Sequence, residues 1–499
     1  MSDIILHKEN EAFLKVECED HYAVELSNYF TFFVPGYRFM PAYKNRIWDG
    51  KIRLFNSRSK TIYSGLVPYI KKFCGEREYK LDISPDVNIT HSLSLVEAVE
   101  FIKTLDLPFE PRDYQVQSFV QCIRNKKRLL LSPTASGKSL IIYMIVRYLM
   151  KLEYQKGLLI VPTTSLVEQM YTDFQSYGFD SDKYCHRQYS GKEIHTNNIL
   201  TITTWNSVYK NDKAYFEQFD FVMGDEAHQF KAKSLTTILS SCINSKYRIG
   251  TTGTLDGTQT HRLVLEGLFG PVYKATSTSE LIEKGQLAGF KIKCLILKYE
   301  EQIRQEARRW NYNQEIEYIV TNQARNNFIS NLALSLEGNT LILFQFVEKH
   351  GKKLYETIEN KNRNRKTFFV FGGTDAEVRE SVRGIVEREK DAIIVASYGT
   401  FSTGVNITNL HNIVFASPTK SRIRNLQSIG RGLRKGNNKE TAVLFDIVDD
   451  FRIGKFANYT IKHFIERCKI YDDEKFTYKF YNIELKNGKT DQDNKVAIG

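Results

Sequence analysis

A loop of small residues between two apolar runs is the first feature of the sequence that could do chemistry. The run RLLL leads into SPTASGKS, residues 132–139, and LIIYMIVRYLM follows. A phosphate-binding loop needs converging backbone N–H groups, a helix N-terminus behind them, a lysine for the β and γ phosphates and a hydroxyl for Mg²⁺. The segment supplies all four, although Ser132 stands where the G-x-x-x-x-G-K-[ST] pattern has its first glycine. The alternative is a chance strand–turn–helix with an exposed lysine.

A pair of carboxylates further along the chain favours the phosphate-binding interpretation. The apolar run FDFVM leads into GDEAH, which places Asp225 and Glu226 at a strand end. There Asp225 can hold Mg²⁺ together with Ser139, and Glu226 can orient or deprotonate an attacking water. A surface Asp–Glu turn is the alternative. The two segments together predict an ATP and Mg²⁺ site, whose nucleotide contacts are the loop residues Ser132, Pro133, Thr134, Ala135, Ser136, Gly137, Lys138 and Ser139.

A basic segment far downstream completes the set of residues that could act on a phosphate. The stretch QSIGRGLR places Gln427, Arg431 and Arg434 at spacings that share one helix face. Arginines supplied by a second domain would stabilise the transition state and make hydrolysis depend on domain closure. Taken alone, such a stretch is more often a solvated basic face.

The elements that must position these residues are read from hydrophobic patterning. In residues 109–297 and 336–452, apolar β-branched runs alternate with amphipathic helical patterns, which predicts two tandem doubly wound α/β domains with parallel sheets. We expect a helical connector at 298–335 and a basic helical C-terminal tail at 453–499. The N-terminal 1–85 predicts a small separate α+β domain, joined through a linker with a capped helix, 86–108.

Composition limits the class of protein and of partner. The 499 residues carry 70 Lys and Arg against 58 Asp and Glu, a net charge of +12 that favours a polyanionic partner such as nucleic acid. The seven cysteines are widely spaced without a C-x-x-C pair, which indicates buried thiols rather than disulfides or a zinc site. With no apolar stretch long enough for a membrane span and no signal-peptide pattern at the N-terminus, we expect a cytoplasmic protein.

A basic and aromatic stretch in the N-terminal domain is the candidate for that partner. Residues 37–80 contain eleven Lys or Arg against three acids, with aromatic side chains among them. Such a mixture suits phosphate contacts and base stacking, although aromatics at this spacing also build cores and charge runs are often solvated faces. We predict nucleic-acid contacts from Lys44, Arg46, Trp48, Lys51 and Arg53.

These segments, in this order, resemble the superfamily-two helicases over about residues 109–446. The matching segments are FEPRDYQVQSF, SPTASGKS, VPTTSLVEQM, TITTWNSV, DEAH, TTGT, LILFQF, ASYGTFSTGVNI and QSIGRGLR. The resemblance implies two RecA-like domains, DNA-stimulated ATP hydrolysis, and catalytic roles for Lys138, Asp225, Glu226, Gln427, Arg431 and Arg434. It also implies that Gln115 and Gly404 contact the nucleotide, that Thr163, Thr203 and Thr403 contact nucleic acid, and that His228, Thr252 and Thr254 couple the two activities. A glycine inside TTGT, where many members have alanine, is a mild departure.

Over its whole length the chain is most similar to the recombination helicases of T-even bacteriophages. That similarity implies ATP-driven remodelling of branched DNA, including forks and four-way junctions, and dissociation of RNA–DNA hybrids. Two other classes stay open on the sequence: an ATP-dependent translocase subunit of a nuclease or restriction system, and a non-enzymatic nucleic-acid-binding protein. Hydrolysis of ATP with and without DNA separates the last class from the other two.

Overall fold

In a computed structural model, the chain forms two compact units, Met1–Thr276 and Ser277–Gly499. The residues that the structure describes are 2–87, 89–189, 197–229, 232–255, 258–362, 364–403, 409–419, 421, 430 and 441–485. Among them, no helix is long and apolar enough to cross a membrane.

The N-terminal part of the first unit is an α+β domain, as the sequence predicts. Its elements are β1 (Ile4–Lys8), β2 (Phe13–Cys18), α1 (Asp20–Tyr29), β3 (Thr31–Phe33), α2 (Pro41–Lys44), β4 (Lys51–Arg53), β5 (Phe55–Asn56), β6 (Thr61–Tyr63), α3 (Val67–Glu76) and β7 (Leu81–Ile83). A five-stranded sheet has the order β5-β6-β2-β1-β7, and β3 pairs with β4 separately. Leu26 of α1 and Ile70 and Phe73 of α3 are fully buried with the sheet residues in one core.

The rest of the first unit is a doubly wound α/β domain. Its elements are α4 (Leu95–Lys103), α5 (Asp113–Asn125), β8 (Lys127–Leu131), α6 (Lys138–Lys151), β9 (Gly157–Val161), α7 (Thr164–Ser176), α8 (Ser181–Tyr184), β10 (Cys185–Gln188), β11 (Leu200–Thr204), α9 (Trp205–Val208), α10 (Lys213–Glu217), β12 (Phe221–Gly224), α11 (Ala232–Ser241), β13 (Tyr247–Thr252), α12 (Gln259–Phe269) and β14 (Val272–Lys274). The seven strands are all parallel, in the order β10-β11-β9-β12-β13-β8-β14. Every residue of β9 and β13 is buried, because helices cover both faces of the sheet.

The second unit repeats the architecture. Its elements are α13 (Thr278–Glu283), β15 (Gly289–Lys298), α14 (Glu301–Ala307), α15 (Tyr312–Thr321), α16 (Gln323–Ser335), β16 (Thr340–Phe344), α17 (Lys352–Lys361), β17 (Thr367–Val370), α18 (Ala376–Arg388), β18 (Ile393–Ser397), α19 (Tyr398–Thr403), β19 (Asn412–Phe415), β20 (Thr441–Asp450), α20 (Tyr459–Asp473) and β21 (Thr477–Glu484). Its seven parallel strands have the order β17-β18-β16-β19-β20-β15-β21. The fold is therefore two RecA-like domains in tandem after an N-terminal α+β domain.

Three boundaries differ from those expected from the sequence. Strand β15 was expected in the first α/β domain but lies in the second sheet, between β20 and β21. Within the expected connector 298–335, Arg325 is fully buried and bonds Asp449 of β20 at 2.7 Å, so this segment belongs to the second unit's core. The segment after 453 is not a purely helical tail, because β21 adds an edge strand and Arg467 of α20 bonds Asp446 at 2.8 Å in the interior.

Candidate functional site

The carboxyl edge of the first parallel sheet gathers most of the predicted site residues. Because parallel strands end at the same edge, the segments after β8, β9, β12 and β13 meet there. These segments carry the phosphate-binding loop, Thr163, the Asp225–Glu226 pair and Thr254. The topology thus brings together residues that are far apart in sequence.

The phosphate-binding loop joins β8 to α6 in a strained but well-supported conformation. Gly137 has φ 75° and Ala135 φ 68°, both in the left-handed region. The Ser132 amide donates to the Thr252 carbonyl at 2.9 Å, and the Ser132 hydroxyl is bonded to that of Ser136 at 2.7 Å. Ser132 is fully buried, so the serine that replaces the expected glycine has its hydroxyl satisfied inside the loop.

The first turn of helix α5 packs against the phosphate-binding loop and holds it by hydrogen bonds. The Gln115 side chain donates to the Ser136 carbonyl at 2.9 Å and accepts from the Arg112 amide at 2.9 Å. The Tyr114 hydroxyl donates to the same Ser136 carbonyl at 2.6 Å. Gly137 is favoured by its φ of 75°, and a Cβ there would lie 2.4 Å from Gln115 Nε2, so a larger residue would also displace the Gln115 side chain. Gln115 therefore lies against the loop, and its contact with the nucleotide stays a prediction.

Lys138 and Glu226 form an ion pair at the mouth of the loop. Lys138 Nζ lies 3.1 Å from Glu226 Oε1 and 3.4 Å from the Ser132 carbonyl oxygen, and the lysine side chain is 9% exposed. Glu226 itself has φ 49°, a left-handed conformation that turns the chain directly after β12. The loop lysine and the acidic segment are thus linked without any intervening residue.

The two adjacent acids have opposite protonation tendencies. Burial, with the neighbouring Glu226 carboxylate second, raises the pKa of Asp225 to about 6. Burial alone would also raise the pKa of Glu226, but Lys138 and then His228 outweigh it and hold that pKa below its ordinary value. The Thr251 hydroxyl and the Glu226 amide both donate to Asp225 Oδ1. Glu226 is consequently the charged member, suited to accept a proton, and Asp225 is a buried oxygen donor whose ionisation a cation would favour.

A hydrogen-bonded chain connects the acidic segment to the end of β13. His228 Nδ1 lies 3.4 Å from Glu226 Oε2 and 2.7 Å from the Thr252 hydroxyl, which in turn donates to the Thr254 carbonyl at 2.7 Å. The three residues predicted to couple the two activities, His228, Thr252 and Thr254, are therefore joined by consecutive hydrogen bonds. A Cβ on Gly253 would lie 3.5 Å from Thr134 Oγ1, an ordinary contact, so the glycine found in place of alanine is a small steric change.

The three threonines predicted to contact nucleic acid from the α/β domains differ in how far the structure exposes them. Thr163 is half-buried and caps α7 by accepting from the Leu166 amide at 3.3 Å. Thr203 is fully buried, and its hydroxyl donates to the Gln188 carbonyl at 2.7 Å, so this placement does not support a phosphate contact. Thr403 is the last residue of α19, and its side chain lies outside the described residues. Gly404, Gln427, Arg431 and Arg434 also lie outside them.

The five N-terminal residues predicted to contact nucleic acid belong to one small projection, residues 31–53. Lys44, Arg46 and Arg53 are exposed, and the half-buried Trp48 is anchored by donating to the Lys51 carbonyl at 2.8 Å. Lys51 Nζ lies 5.0 Å from the centre of the Phe33 ring. The apolar side chains of Phe39 and Ile47 are each 80% exposed on the same projection. Basic and apolar groups are thus presented to solvent together.

Two residues that touch the site have no role assigned to them from the sequence. Tyr177, at the end of α7, has its hydroxyl 2.8 Å from that of Ser139, the predicted Mg²⁺ ligand. Thr251 donates to Asp225 from the neighbouring strand. Tyr177 lies outside the recognised segments, and Thr251 lies inside TTGT without a role of its own, so only the packing of α7 and the parallel pairing of β12 with β13 show that they reach the site.

The fold and this site define the class: a P-loop ATPase of the superfamily-two helicase type. Three parts of the chain match known protein families. Residues 3–84 match "DNA helicase UvsW, N-terminal", residues 108–257 match "Type III restriction enzyme, res subunit", and residues 324–436 match "Helicase conserved C-terminal domain". The ATP-dependent DNA helicase uvsW of Enterobacteria phage T4 is 35% identical over 505 residues, covering 97% of this chain and 100% of the relative.

Among solved structures, the crystal structure of T4 UvsW matches with 33% sequence identity and a TM-score of 0.53. The match covers 97% of this chain and 100% of that chain. The DNA 3'-5' translocase XPB2 of Sulfurisphaera tokodaii is 25% identical over 383 residues, covering 69% of this chain and 84% of the relative. The chain belongs to the UvsW family of ATP-dependent DNA helicases.

Proposed function

We propose that this ATP-dependent DNA helicase remodels branched nucleic acid, moving the branch point of forks and four-way junctions and dissociating RNA–DNA hybrids. The observation that carries the proposal is the projection 31–53, which presents exposed cations and apolar side chains from a domain fused to the ATP-binding domain. One continuous hydrophobic core includes Phe73 of the N-terminal domain and Leu129 and Phe269 of the ATP-binding domain. Nucleic acid bound to the projection would therefore be held by the same body that binds ATP.

At the ATP site, Lys138 would contact the β and γ phosphates. Their oxygens would then replace the Glu226 carboxylate as the partner of the Lys138 ammonium group. The Ser139 hydroxyl and the Asp225 carboxylate would hold Mg²⁺, since hydroxyl, carboxylate and phosphate oxygens are the donors that this ion prefers. When bound, Mg²⁺ supplies charge neutralisation at the phosphates. The fit is supported by the burial of Asp225 beside the Glu226 carboxylate, the two causes that raise its pKa to about 6, because a bound cation would offset both of them.

Hydrolysis would depend on residues of both α/β domains. Glu226, kept ionised by Lys138 and His228, is suited to orient water and accept its proton. We propose that Gln427, Arg431 and Arg434 act on the nucleotide from the second domain, as in the helicase motifs that they match. Replacing Arg434 with alanine should then slow hydrolysis far more than it weakens ATP binding, and equal losses would indicate a ground-state contact instead.

Nucleic acid would be contacted at two places. Thr163 and Thr403 are proposed to contact backbone phosphates, which read no base sequence. On the projection, Lys44, Arg46, Lys51 and Arg53 would contact phosphates near a branch, with Trp48 held in place by its bond to Lys51. The single acid between these residues, Asp49, is paired with Arg53 and so opposes the approach of phosphate only weakly.

The experiment that tests the proposal compares three substrates with one preparation of protein. ATP-dependent product formation is measured on a forked DNA, a mobile four-way junction and an R-loop, with a simple 3′- or 5′-tailed duplex as the reference. We expect turnover of the branched substrates and of the R-loop to exceed that of the tailed duplexes. Equal rates on all of them would contradict a role in branch remodelling while leaving the helicase activity intact.

A further inference from the structure

A basic cleft of about 620 Å³ lies where the N-terminal domain meets the first α/β domain. Its walls come from β1, α3, the residues Asp86, Val87, Ile89 and Thr90, the start of β8 and the loop before β13. The charged side chains that line it are basic in six cases and acidic in two: Lys8, Lys71, Lys126, Lys127, Arg128 and Lys246, with Glu11 and Asp86. None of these residues belongs to the ATP site or to the projection 31–53.

The more buried of the two acids is already neutralised by lysines. Glu11 lies between Lys8, at 2.6 Å, and Lys127, at 3.3 Å, and Lys127 also donates to the Glu11 carbonyl at 2.8 Å. Asp86 is exposed at the rim. Of the residues that the structure describes, no carboxylate lies within the 4.0 Å ion-pair distance of Lys71, Lys126, Arg128 or Lys246. The cleft therefore carries an excess of uncompensated positive charge.

Crowding of like charges is visible at the centre of the cleft. Burial lowers the pKa of Lys126, and Lys246 and Lys8 lower it further against the pull of Glu11. Arg128 Nε is buried and, among the described residues, has no hydrogen-bond partner. A bound anion would offset the repulsion at Lys126.

The cleft is separate from the ATP site and is built by rigid backbone contacts. Lys127 begins β8 and the phosphate-binding loop follows its end, so the two sites lie about 16 Å apart along the strand. On one wall, a Cβ on Gly65 would lie 1.9 Å from the Glu266 carbonyl oxygen. On another, a Cβ on Gly270, at φ +113°, would lie 2.4 Å from the Lys127 carbonyl oxygen. Such close backbone packing fixes the shape of the cleft before any ligand binds.

We propose that this cleft binds the phosphodiester backbone of one arm of the DNA substrate. Uncompensated lysines and an arginine favour polyanions through release of counterions and make contacts that are independent of base sequence. The inference rests on the proposed function, in which the substrate has more than one arm. A second arm held here would be fixed to the ATP-binding domain at a place distant from the projection.

The first test removes three of the uncompensated charges and compares the result with a matched control. The test variant is Lys71→Gln/Lys126→Gln/Lys246→Gln. The control, Lys80→Gln/Lys103→Gln/Lys274→Gln, removes three exposed lysines from the same two domains, outside the cleft. Binding of a labelled four-way junction is measured by fluorescence anisotropy over a range of salt concentrations, after thermal unfolding confirms that both variants are folded.

We expect the slope of log affinity against log salt to fall by about 2 to 3 in the test variant only, at about 0.9 per lost phosphate contact. Equal slopes in wild type, test and control proteins would overturn the inference. A wild-type protein that does not bind the junction at all would instead contradict the proposed function, so the two failures are distinguishable.

A second test uses the unmodified protein. Lysine acetylation is followed by mass spectrometry with no addition, with ATP and with junction DNA. Protection of Lys126 and Lys246 by DNA, with Lys80 and Lys103 unprotected, supports the cleft as a DNA site. Protection by ATP and not by DNA would assign the cleft to a free nucleotide, and no protection by either would show that it holds no phosphate ligand; both results overturn the inference.

Discussion

Lys138 Nζ lies 3.1 Å from Glu226 Oε1, and Glu226 Oε2 lies 3.4 Å from His228 Nδ1. The phosphate-binding lysine is therefore joined through a single carboxylate to the histidine that bonds Thr252 at the end of β13. When a phosphate takes the place of Glu226 at Lys138, the carboxylate must find another partner. We propose that nucleotide binding is communicated in this way to the His228–Thr252–Thr254 chain, through the Glu226 side chain.

Replacing Lys138 with alanine should abolish ATP turnover, with a loss of about 100-fold or more, because a preorganised charge on the phosphates is removed. DNA binding should stay measurable, since the projection 31–53 does not involve the loop. Lys151→Ala, at the exposed end of the same helix, is the control. Steady-state ATP hydrolysis and junction binding are measured for each. Normal turnover in the Lys138 variant would exclude this lysine from the site.

Replacing Thr252 with valine should uncouple hydrolysis from unwinding. The valine removes the hydroxyl that lies between His228 and the Thr254 carbonyl but leaves Lys138, Asp225 and Glu226 in place. We expect ATP hydrolysis to fall by less than about tenfold, the loss of one or two hydrogen bonds, and unwinding per ATP to fall much further. Thr252→Ser keeps the hydroxyl, so this variant should retain most of the wild-type amount of unwinding per ATP hydrolysed. If both activities decline in proportion, Thr252 serves hydrolysis alone.

Much of the fold and part of this site could be predicted from the sequence. The apolar runs of β8, β9 and β12 are recognisable because helices bury both faces of a parallel sheet, and the loop and acidic segments have fixed chemistry at fixed spacing. Strand β21 could not be found in this way, since its residues alternate between half-buried and exposed as an edge strand's do. The tertiary bond between Tyr177 and Ser139 joins residues with no shared motif, so only the packed structure reveals it.

The boundary predictions fell short for a related reason. Strand β15 follows the first α/β domain directly in sequence, and its pattern alone does not say which sheet it joins. Its partners are β20 and β21, far downstream, and the pairing of Gly289 with Thr441 cannot be read from either segment alone. Similarly, Thr203 occupies a motif position, but its full burial follows from the central place of β11 between β10 and β9.

Replacing Phe39 with alanine should impair unwinding of forked DNA. The ring follows the exposed Arg38 in sequence and is itself 80% exposed, so its apolar surface is available to stack on a base at the branch. Base stacking contributes about 1–3 kcal/mol, which predicts a loss of roughly fivefold or more in fork affinity or unwinding rate. Val96→Ala, which removes an apolar side chain that is 68% exposed on α4, is the control. An unchanged fork-unwinding rate would show that Phe39 makes no contact with the branch.

Replacing Gly65 with alanine should loosen the N-terminal domain from the ATP-binding domain. The added Cβ would lie 1.9 Å from the Glu266 carbonyl oxygen, so the backbones must separate. Overpacking of this kind costs about 1–3 kcal/mol. Gly75→Ala, on α3 with nothing within 4 Å of the new Cβ, should be neutral or slightly stabilising. Urea unfolding and the rate of proteolysis between the two domains are the measurements, and equal behaviour of the two variants would contradict the close contact.

The burial of Lys127 beside Glu11 predicts a pH dependence of stability with a definite sign. Burial lowers the pKa of Lys127 to about 8 from an ordinary 10.5, and Glu11 offsets this only in part. Between these values the unfolded chain holds a proton that the folded chain has released, so this group's contribution to the free energy of unfolding rises with pH. From pH 8 to 9.5 the rise is at most about 2 kcal/mol, at 1.36 kcal/mol for each unit.

Replacing Lys127 with methionine, which keeps the aliphatic length without the charge, should remove that rise. The difference in unfolding free energy between the methionine variant and wild type is measured by urea titration at several pH values from 7 to 9.5. It should be most favourable to the variant near pH 7 and should shrink as wild-type Lys127 loses its proton. A difference that stays constant over this interval would mean that Lys127 titrates near its ordinary value, and that Glu11 and the surrounding water fully compensate its burial.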